Sequence, residues 1–178
     1  MKKTAIIYGL LFWGVSVFAQ QHIPVDAGSD VKFSIKNFGL SVTGTLKGLQ
    51  GKIIFDPANP PAASFNVTVD VATINTGNGA RDKHLKKEDY FDEANHPKIT
   101  FISSKVTGKA GTYTVVGQLN IKGISKQITF PFTATAGKNS YQFAGQFTIN
   151  RRDFKVGGSS WVLSDELTVT LNISAINQ

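Results

Sequence analysis

Residues 112–150 read TYTVVGQLNIKGISKQITFPFTATAGKNSYQFAGQFTIN, and apolar and polar side chains alternate along almost the whole stretch. One apolar series runs from Tyr113 to Ile121, and another runs from Tyr141 to Ile149. A period of two residues places successive side chains on opposite faces of a strand. Each series therefore predicts a β-strand with one apolar face and one wet face, and the short glycine-containing turns between them predict antiparallel neighbours.

The same alternation recurs along most of the chain. It predicts about eight or nine strands, at residues 31–37, 42–47, 52–55, 63–74, 98–106, 112–122, 126–135, 141–150 and 166–174. So many half-apolar strands, with few helices to cover them, must close on themselves or pack as two sheets. The fold class is therefore all-β and antiparallel.

Residues 76–97 interrupt this pattern. They are rich in charge and lack any period of two. Thr76 or Asn78 could cap a short helix from about Ala80 to Asp89, with Leu85 as its buried anchor. A connection of this length within a β domain is often functional, so this insertion is our candidate for a lid.

The first nineteen residues are typical of a secretory signal peptide. Lys2 and Lys3 precede an apolar run from Ala5 to about Val17, and small residues favour cleavage after Ala19. The apolar run is shorter than the ~20 residues that a membrane-spanning helix needs. We therefore expect a signal peptide at 1–19 and one exported domain at 20–178, periplasmic or secreted.

Composition excludes several classes of protein. The chain contains no cysteine, so the domain folds without disulfides or cysteine-bound zinc. Its net charge is +7, which falls to +5 without Lys2 and Lys3. This excess is compatible with anionic ligands or a transient contact with a membrane surface. The sequence lacks the basic stripe interleaved with aromatic residues that is typical of nucleic-acid-binding proteins.

Phenylalanines supply much of the predicted apolar face. Eight that fall in predicted strands have a phase that suits the interior: Phe33, Phe55, Phe65, Phe101, Phe130, Phe132, Phe143 and Phe147. An eight-stranded barrel can be filled by such side chains or can hold one small ligand, and strand count does not decide between the two. Inward-phase glycines such as Gly44 and Gly117 remove side-chain volume and favour a cavity.

Arg151 continues the inward phase that ends at Ile149, which indicates a cation at a barrel mouth. There it could pair with Asp153 or Asp165, or it could hold a phosphate or carboxylate head group.

Histidine chemistry is the alternative at the insertion. His84 with Asp82 or Asp92 could be drawn as a hydrolytic pair or as part of a metal site, but the spacing matches no established ligand motif. We therefore predict neither catalytic nor metal-binding residues and no cofactor.

Several motifs resemble the YceI-like family. They are Arg81-Asp82-x-His84-Leu85, Tyr90-Phe91-Asp92, Pro97-x-Ile99-x-Phe101-x-Ser103, Gly117-x-Leu119-x-Ile121-x-Gly123-x-Ser125 and Arg151-x-Asp153-Phe154. The resemblance implies a single lipocalin-like barrel of eight to nine strands with a long apolar interior. It also implies an exported bacterial binding protein rather than an enzyme.

The ligand class that the resemblance implies is a long-chain lipid, such as a polyisoprenoid, an isoprenoid quinone or a fatty-acid-like molecule. We expect its tail against the eight phenylalanines and its head near Arg81, His84 and Arg151. A filled barrel that serves stress response or adhesion, and a hydrolase that uses His84, remain the alternatives. The sequence does not decide between a monomer and a homodimer.

Overall fold

A computed structural model describes residues 20–178 and contains eight strands and one short helix. The strands are β1 (Gln21–Asn37), β2 (Leu40–Ile54), β3 (Ser64–Asn75), β4 (Lys98–Lys109), β5 (Thr112–Ile121), β6 (Ile124–Ala136), β7 (Ser140–Asn150) and β8 (Leu163–Asn177). The helix α1 (Gly79–Leu85) lies between β3 and β4. The predicted signal peptide at 1–19 lies outside the described residues.

The eight strands form one closed antiparallel barrel. Each strand pairs with its neighbours in the chain, and β8 returns to pair with β1 from His22 to Asn37. Phe38-Gly39, Ala110-Gly111 and Lys122-Gly123 form two-residue turns in which both residues have positive φ. Turns of this kind match the right-handed twist of the paired strands. The predicted all-β antiparallel barrel is confirmed.

Two strand boundaries differ from the sequence-based prediction. The segment before Val31, for which no strand was predicted, belongs to β1. The two short strands predicted at 42–47 and 52–55 form the single strand β2. Bulges explain both errors, because the register shifts between Val25 and Asp30 and again between Thr45 and Gln50. An extra residue at a bulge breaks the period of two without ending the strand.

One end of the barrel is filled with aromatic side chains. Phe55 is buried and stands edge-on to Tyr113, Tyr141 and Phe143, with ring centroids 5.1–5.3 Å apart. Both ends of the described chain lie here, since Gln178 N donates to Gln21 O at 3.1 Å. We call this the closed end.

The opposite end carries the longer connections, and we call it the mouth. It holds the Phe38-Gly39 turn, the insertion between β3 and β4, the Lys122-Gly123 turn and residues 151–162 between β7 and β8. The insertion contains a shorter helix than predicted, because α1 ends at Leu85. Its capping residue is Asn78, whose side chain accepts a hydrogen bond from Arg81 N at 3.0 Å. No helix among the described residues is long and apolar enough to cross a membrane.

Candidate functional site

The barrel is hollow between the closed end and the mouth. A cavity of about 410 Å³ lies there, within the range typical of small-ligand pockets. Its walls come from the inward faces of the strands and are mainly aliphatic and aromatic. The aliphatic wall includes Val31, Ile35, Val42, Leu46, Val67, Val69, Ile99, Val115, Leu119, Ile121, Ile149, Leu167, Val169, Leu171 and Ile173.

Seven of the eight predicted phenylalanines line this cavity. They are Phe33, Phe65, Phe101, Phe130, Phe132, Phe143 and Phe147. Phe130 and Phe147 stack with ring centroids 4.6 Å apart, and Phe65 stands edge-on to Phe132 at 5.4 Å. These contacts hold the rings against one another as part of the wall.

Phe55 is the exception. It follows the last residue of β2 and lies in the aromatic cluster of the closed end, with 1% of its surface exposed. Its prediction as a cavity residue is corrected, because a ring at a strand end can turn beneath the cavity floor instead of facing the cavity. The aliphatic wall, by contrast, was missed as a ligand surface, although the same period of two that selected the phenylalanines also marks Val169 and Leu171.

Two connections partly cover the mouth. The insertion contributes Leu85, Tyr90 and Phe91 to the cavity lining, and the connection after β7 contributes Phe154 and Val156. A main-chain hydrogen bond joins the two connections, since Gly157 N donates to Asp89 O at 2.8 Å. Access to the cavity therefore depends on two segments that are tied to each other.

Arg81 lines the cavity at the mouth, on α1. Its Nε donates to Thr76 Oγ1 at 2.7 Å, and its Nη2 donates to Thr76 O at 2.8 Å. Thr76 is held in turn by Asp82, whose Oδ1 accepts from both Thr76 N and Thr76 Oγ1. Arg81 forms no salt bridge within residues 20–178. Its Nη1 group has no hydrogen-bond partner among the described residues.

Arg151 also lines the cavity, but its guanidinium is largely occupied by the protein. Nε donates to Ser164 O, Nη1 donates to Val156 O and Gly158 O, and Nη2 donates to Asp165 Oδ1 at 2.7 Å. Arg151 is buried, with 3% of its surface exposed, and its hydrogen bonds hold together the connection between β7 and β8. The partner is Asp165, one of the two carboxylates that the sequence had left open.

His84 lines the mouth and is exposed, with its ring edge-on to Tyr90 at a centroid distance of 4.8 Å. Among the described residues, neither carboxylate considered for a hydrolytic pair forms a hydrogen bond or an ion pair with it. Asp82 is bonded to Thr76, while Asp92 lies beside Asn95 and 3.9 Å from His96 Nε2. Within residues 20–178, no group of three or more acidic, histidine or cysteine side chains is arranged to hold a metal ion.

These features define a class of protein. An antiparallel eight-stranded barrel with an apolar cavity is the architecture with which lipocalins hold a single small ligand. In this protein the cavity has aromatic rings at its floor and Arg81 at its mouth.

Comparison with known proteins identifies the family. The YceI-like domain matches residues 24–175, and the chain belongs to this family. Protein YceI of Escherichia coli O157:H7 is 27% identical over 192 residues, which cover all of both chains.

Solved structures agree with the fold. BcnA of Burkholderia cenocepacia superposes with a TM-score of 0.78 at 29% identity, over 83% of this chain and 96% of that protein. A polyisoprenoid binding domain from Saccharophagus degradans, described as implicated in plant cell wall breakdown, superposes at 0.74. Its identity is 15%, over 90% of this chain and 100% of that one, so this likeness concerns the fold alone.

Proposed function

We propose that this protein binds one long-chain apolar or amphiphilic lipid and acts as an exported carrier or store. The observation that carries the proposal is the apolar cavity of about 410 Å³, with the guanidinium of Arg81 at its mouth. The tail would lie along the barrel axis with its end against the closed end, and the head would lie beside Arg81. A lipid ligand is also compatible with this fold, since the Saccharophagus degradans domain that shares it is described as polyisoprenoid binding.

The expected affinity follows from the tail. Burying about a dozen methylenes at ~0.8 kcal/mol each gives roughly 10 kcal/mol. Ordering the lipid tail and losing the free motion of the lipid cost several kcal/mol of this free energy. The remainder corresponds to a dissociation constant around micromolar. Apolar walls do not distinguish tails of similar length, so selectivity must come from the mouth.

The cavity speaks against the alternative of a filled barrel. A hydrolase is also less well supported, because His84 forms no hydrogen bond or ion pair with Asp82 or Asp92 in the described part of the chain. We therefore favour a binding role without catalysis.

Mass spectrometry of an organic extract tests the proposal directly. We expect one long-chain lipid per natively purified protein, and a cleaved N-terminus at Gln20 would support export. A protein that yields no lipid, and that takes up none when incubated with lipids of its source cell, would contradict the proposal.

A matched pair of substitutions localises the ligand. Leu171 lines the cavity, whereas its neighbour Thr170 points outward and is exposed. Leu171→Trp should lower the lipid content about tenfold or more because the added ring fills the cavity, while Thr170→Trp should leave it unchanged. Equal lipid content in the two variants would place the lipid outside the barrel.

The head group is tested at Arg81. Arg81→Gln should weaken the binding of a fatty acid several-fold but not that of the fatty alcohol of equal length, since only the carboxylate gains from the cation. Arg152→Gln is the control, because Arg152 is exposed on the neighbouring connection and does not line the cavity. A loss common to both ligands would assign Arg81 a structural role.

A further inference from the structure

Four apolar side chains are exposed together at the mouth. We call Phe38, Leu40, Trp161 and Val162 the apolar rim patch. Phe38 is 74% and Leu40 is 73% exposed, and Trp161 is fully exposed. A hydrogen bond from Phe38 N to Val162 O, 2.8 Å long, brings the two contributing segments together. Clustered exposure of this kind marks an interaction surface, whereas isolated exposed apolar side chains are ordinary.

The backbone at Phe38 points the same way. Phe38 occupies the first central position of its turn with φ of 50°, in the left-handed region. A bulky side chain is a genuine outlier there, and asparagine, aspartate or glycine is preferred. The ring gains no burial within the described residues that would offset this conformation. The turn itself matches the strand twist, as the turns at Ala110 and Lys122 do, so the feature that needs a further explanation is the exposed aromatic ring at this position.

The charges around the patch favour a lipid surface as its occupant. Residues 37–46 and 156–164 contain no charged side chain, and Lys36 and Lys155 flank these two stretches. The acidic group nearest in the chain to Trp161, Asp165, is bonded to Arg151. Apolar tips with adjacent lysines suit insertion below anionic headgroups.

The patch is continuous with the cavity. Asn37 and Leu163 line the cavity and directly adjoin Phe38 and Val162 in the chain, and Val42, which also lines the cavity, lies two residues after Leu40. We infer that the apolar rim patch inserts into the surface of a bilayer that contains anionic lipid, so that the mouth faces the membrane and a tail can pass between them. This inference rests on the proposed function.

Tryptophan fluorescence provides a test specific to the patch. The chain has two tryptophans, Trp13 and Trp161, so a protein that begins at Gln20 carries Trp161 alone. That protein retains all eight strands and the closure of β8 on β1. With vesicles of mixed phosphatidylcholine and phosphatidylglycerol, we expect a blue shift of Trp161 emission and co-flotation of the protein. Vesicles of phosphatidylcholine alone should give a weaker response.

Substitutions distinguish vesicle binding through the apolar rim patch from non-specific binding through other exposed apolar side chains. Phe38→Ser with Leu40→Ser keeps the fluorophore and should reduce vesicle binding about tenfold or more. The controls are Ile102→Ser and Ile176→Ser, which remove exposed apolar side chains from the barrel wall and the closed end, and they should bind as the wild type does.

Uptake of a fluorescent fatty acid without vesicles, measured on the same samples, keeps the two proposals apart. Uptake without a blue shift on vesicles would overturn membrane docking and leave the proposed function intact. Absence of uptake would overturn the proposed function itself. Vesicle binding that high salt abolishes and that the serine pair leaves unchanged would overturn insertion in favour of surface adsorption. A blue shift that rises with protein concentration without vesicles would assign the patch to a second copy of this chain.

Discussion

The ring of Phe33 lies across Gly44 on the neighbouring strand. A Cβ placed on Gly44 would come within 2.2 Å of Phe33 Cζ, and the two residues are directly paired between β1 and β2. Phe101 covers Gly117 in the same way, since a Cβ placed on Gly117 would lie 2.5 Å from Phe101 Cζ. The glycines therefore do not leave empty space. They let two aromatic rings lie flat against the wall, where they line the cavity without blocking it.

Gly44→Ala should push the Phe33 ring into the cavity. We expect ligand affinity to fall about tenfold and the free energy of unfolding to fall by about 1–3 kcal/mol, as for an overpacked core. Isothermal titration with a fatty acid and urea denaturation measure the two effects. Gly158→Ala is the control, since nothing lies within 4 Å of its added Cβ. Phe33→Leu in the Gly44→Ala background should restore binding, and failure of this rescue would contradict the explanation.

Arg151 and Asp165 should contribute unequally to stability although they are bonded to each other. Arg151→Met leaves three main-chain carbonyls without their donor and should lower the free energy of unfolding by about 2–4 kcal/mol. Asp165→Asn should cost less than about 1 kcal/mol, because that side chain is 45% exposed. Urea denaturation measures both. A stable Arg151→Met variant that no longer binds fatty acids would instead make Arg151 the head-group ligand.

Tyr141 should make the closed end sensitive to alkali. Burial raises the pKa of Tyr141 above its ordinary 10.0, and the carboxylate of Asp56 and the neighbouring Tyr113 add to this. The unfolded chain therefore loses this proton at a lower pH than the folded protein does. The stability that the neutral phenol contributes is complete below pH 10.0 and is lost as pH rises through the raised pKa.

Tyr141→Phe should accordingly flatten the loss of stability above pH 10.0. Urea denaturation at a series of pH values measures the slope. Asp56→Asn should reduce the slope partly, since it removes only the second cause. Identical slopes for the wild type and Tyr141→Phe would show that another group governs the alkaline transition.

The strands could be predicted from the sequence wherever one face is apolar and the other is exposed to solvent, as from Tyr113 to Ile121. The prediction failed before Val31 and around Gly48, where bulges shift the phase. Asp26 holds one bulge against the other by accepting hydrogen bonds from Gly48 N and Leu49 N, a contact between distant residues that no local pattern reveals.

The candidate site could be predicted only in part, because the alternation shows which face of a strand points inward and nothing more. Inward phase identified Phe101 and Phe147 as cavity residues, but it carries no information about depth along the barrel, so Phe55 was misplaced. Arg151 was correctly placed near a mouth by phase. Its choice of Asp165 over Asp153 depends on the turn that Arg151–Phe154 makes, which leaves Asp153 exposed.

Because aromatic rings fill the closed end, the cavity opens only at the mouth and does not run through the barrel. A lipid that enters tail-first through the mouth has no second exit past Phe55 and Tyr141, so it must leave head-first by the way it came. If the protein carries lipid as proposed, donor and acceptor must meet the same face of the protein and cannot both be engaged at once. Delivery between two membranes would require the protein to detach and turn over between them, which makes transfer a shuttle with one lipid per crossing.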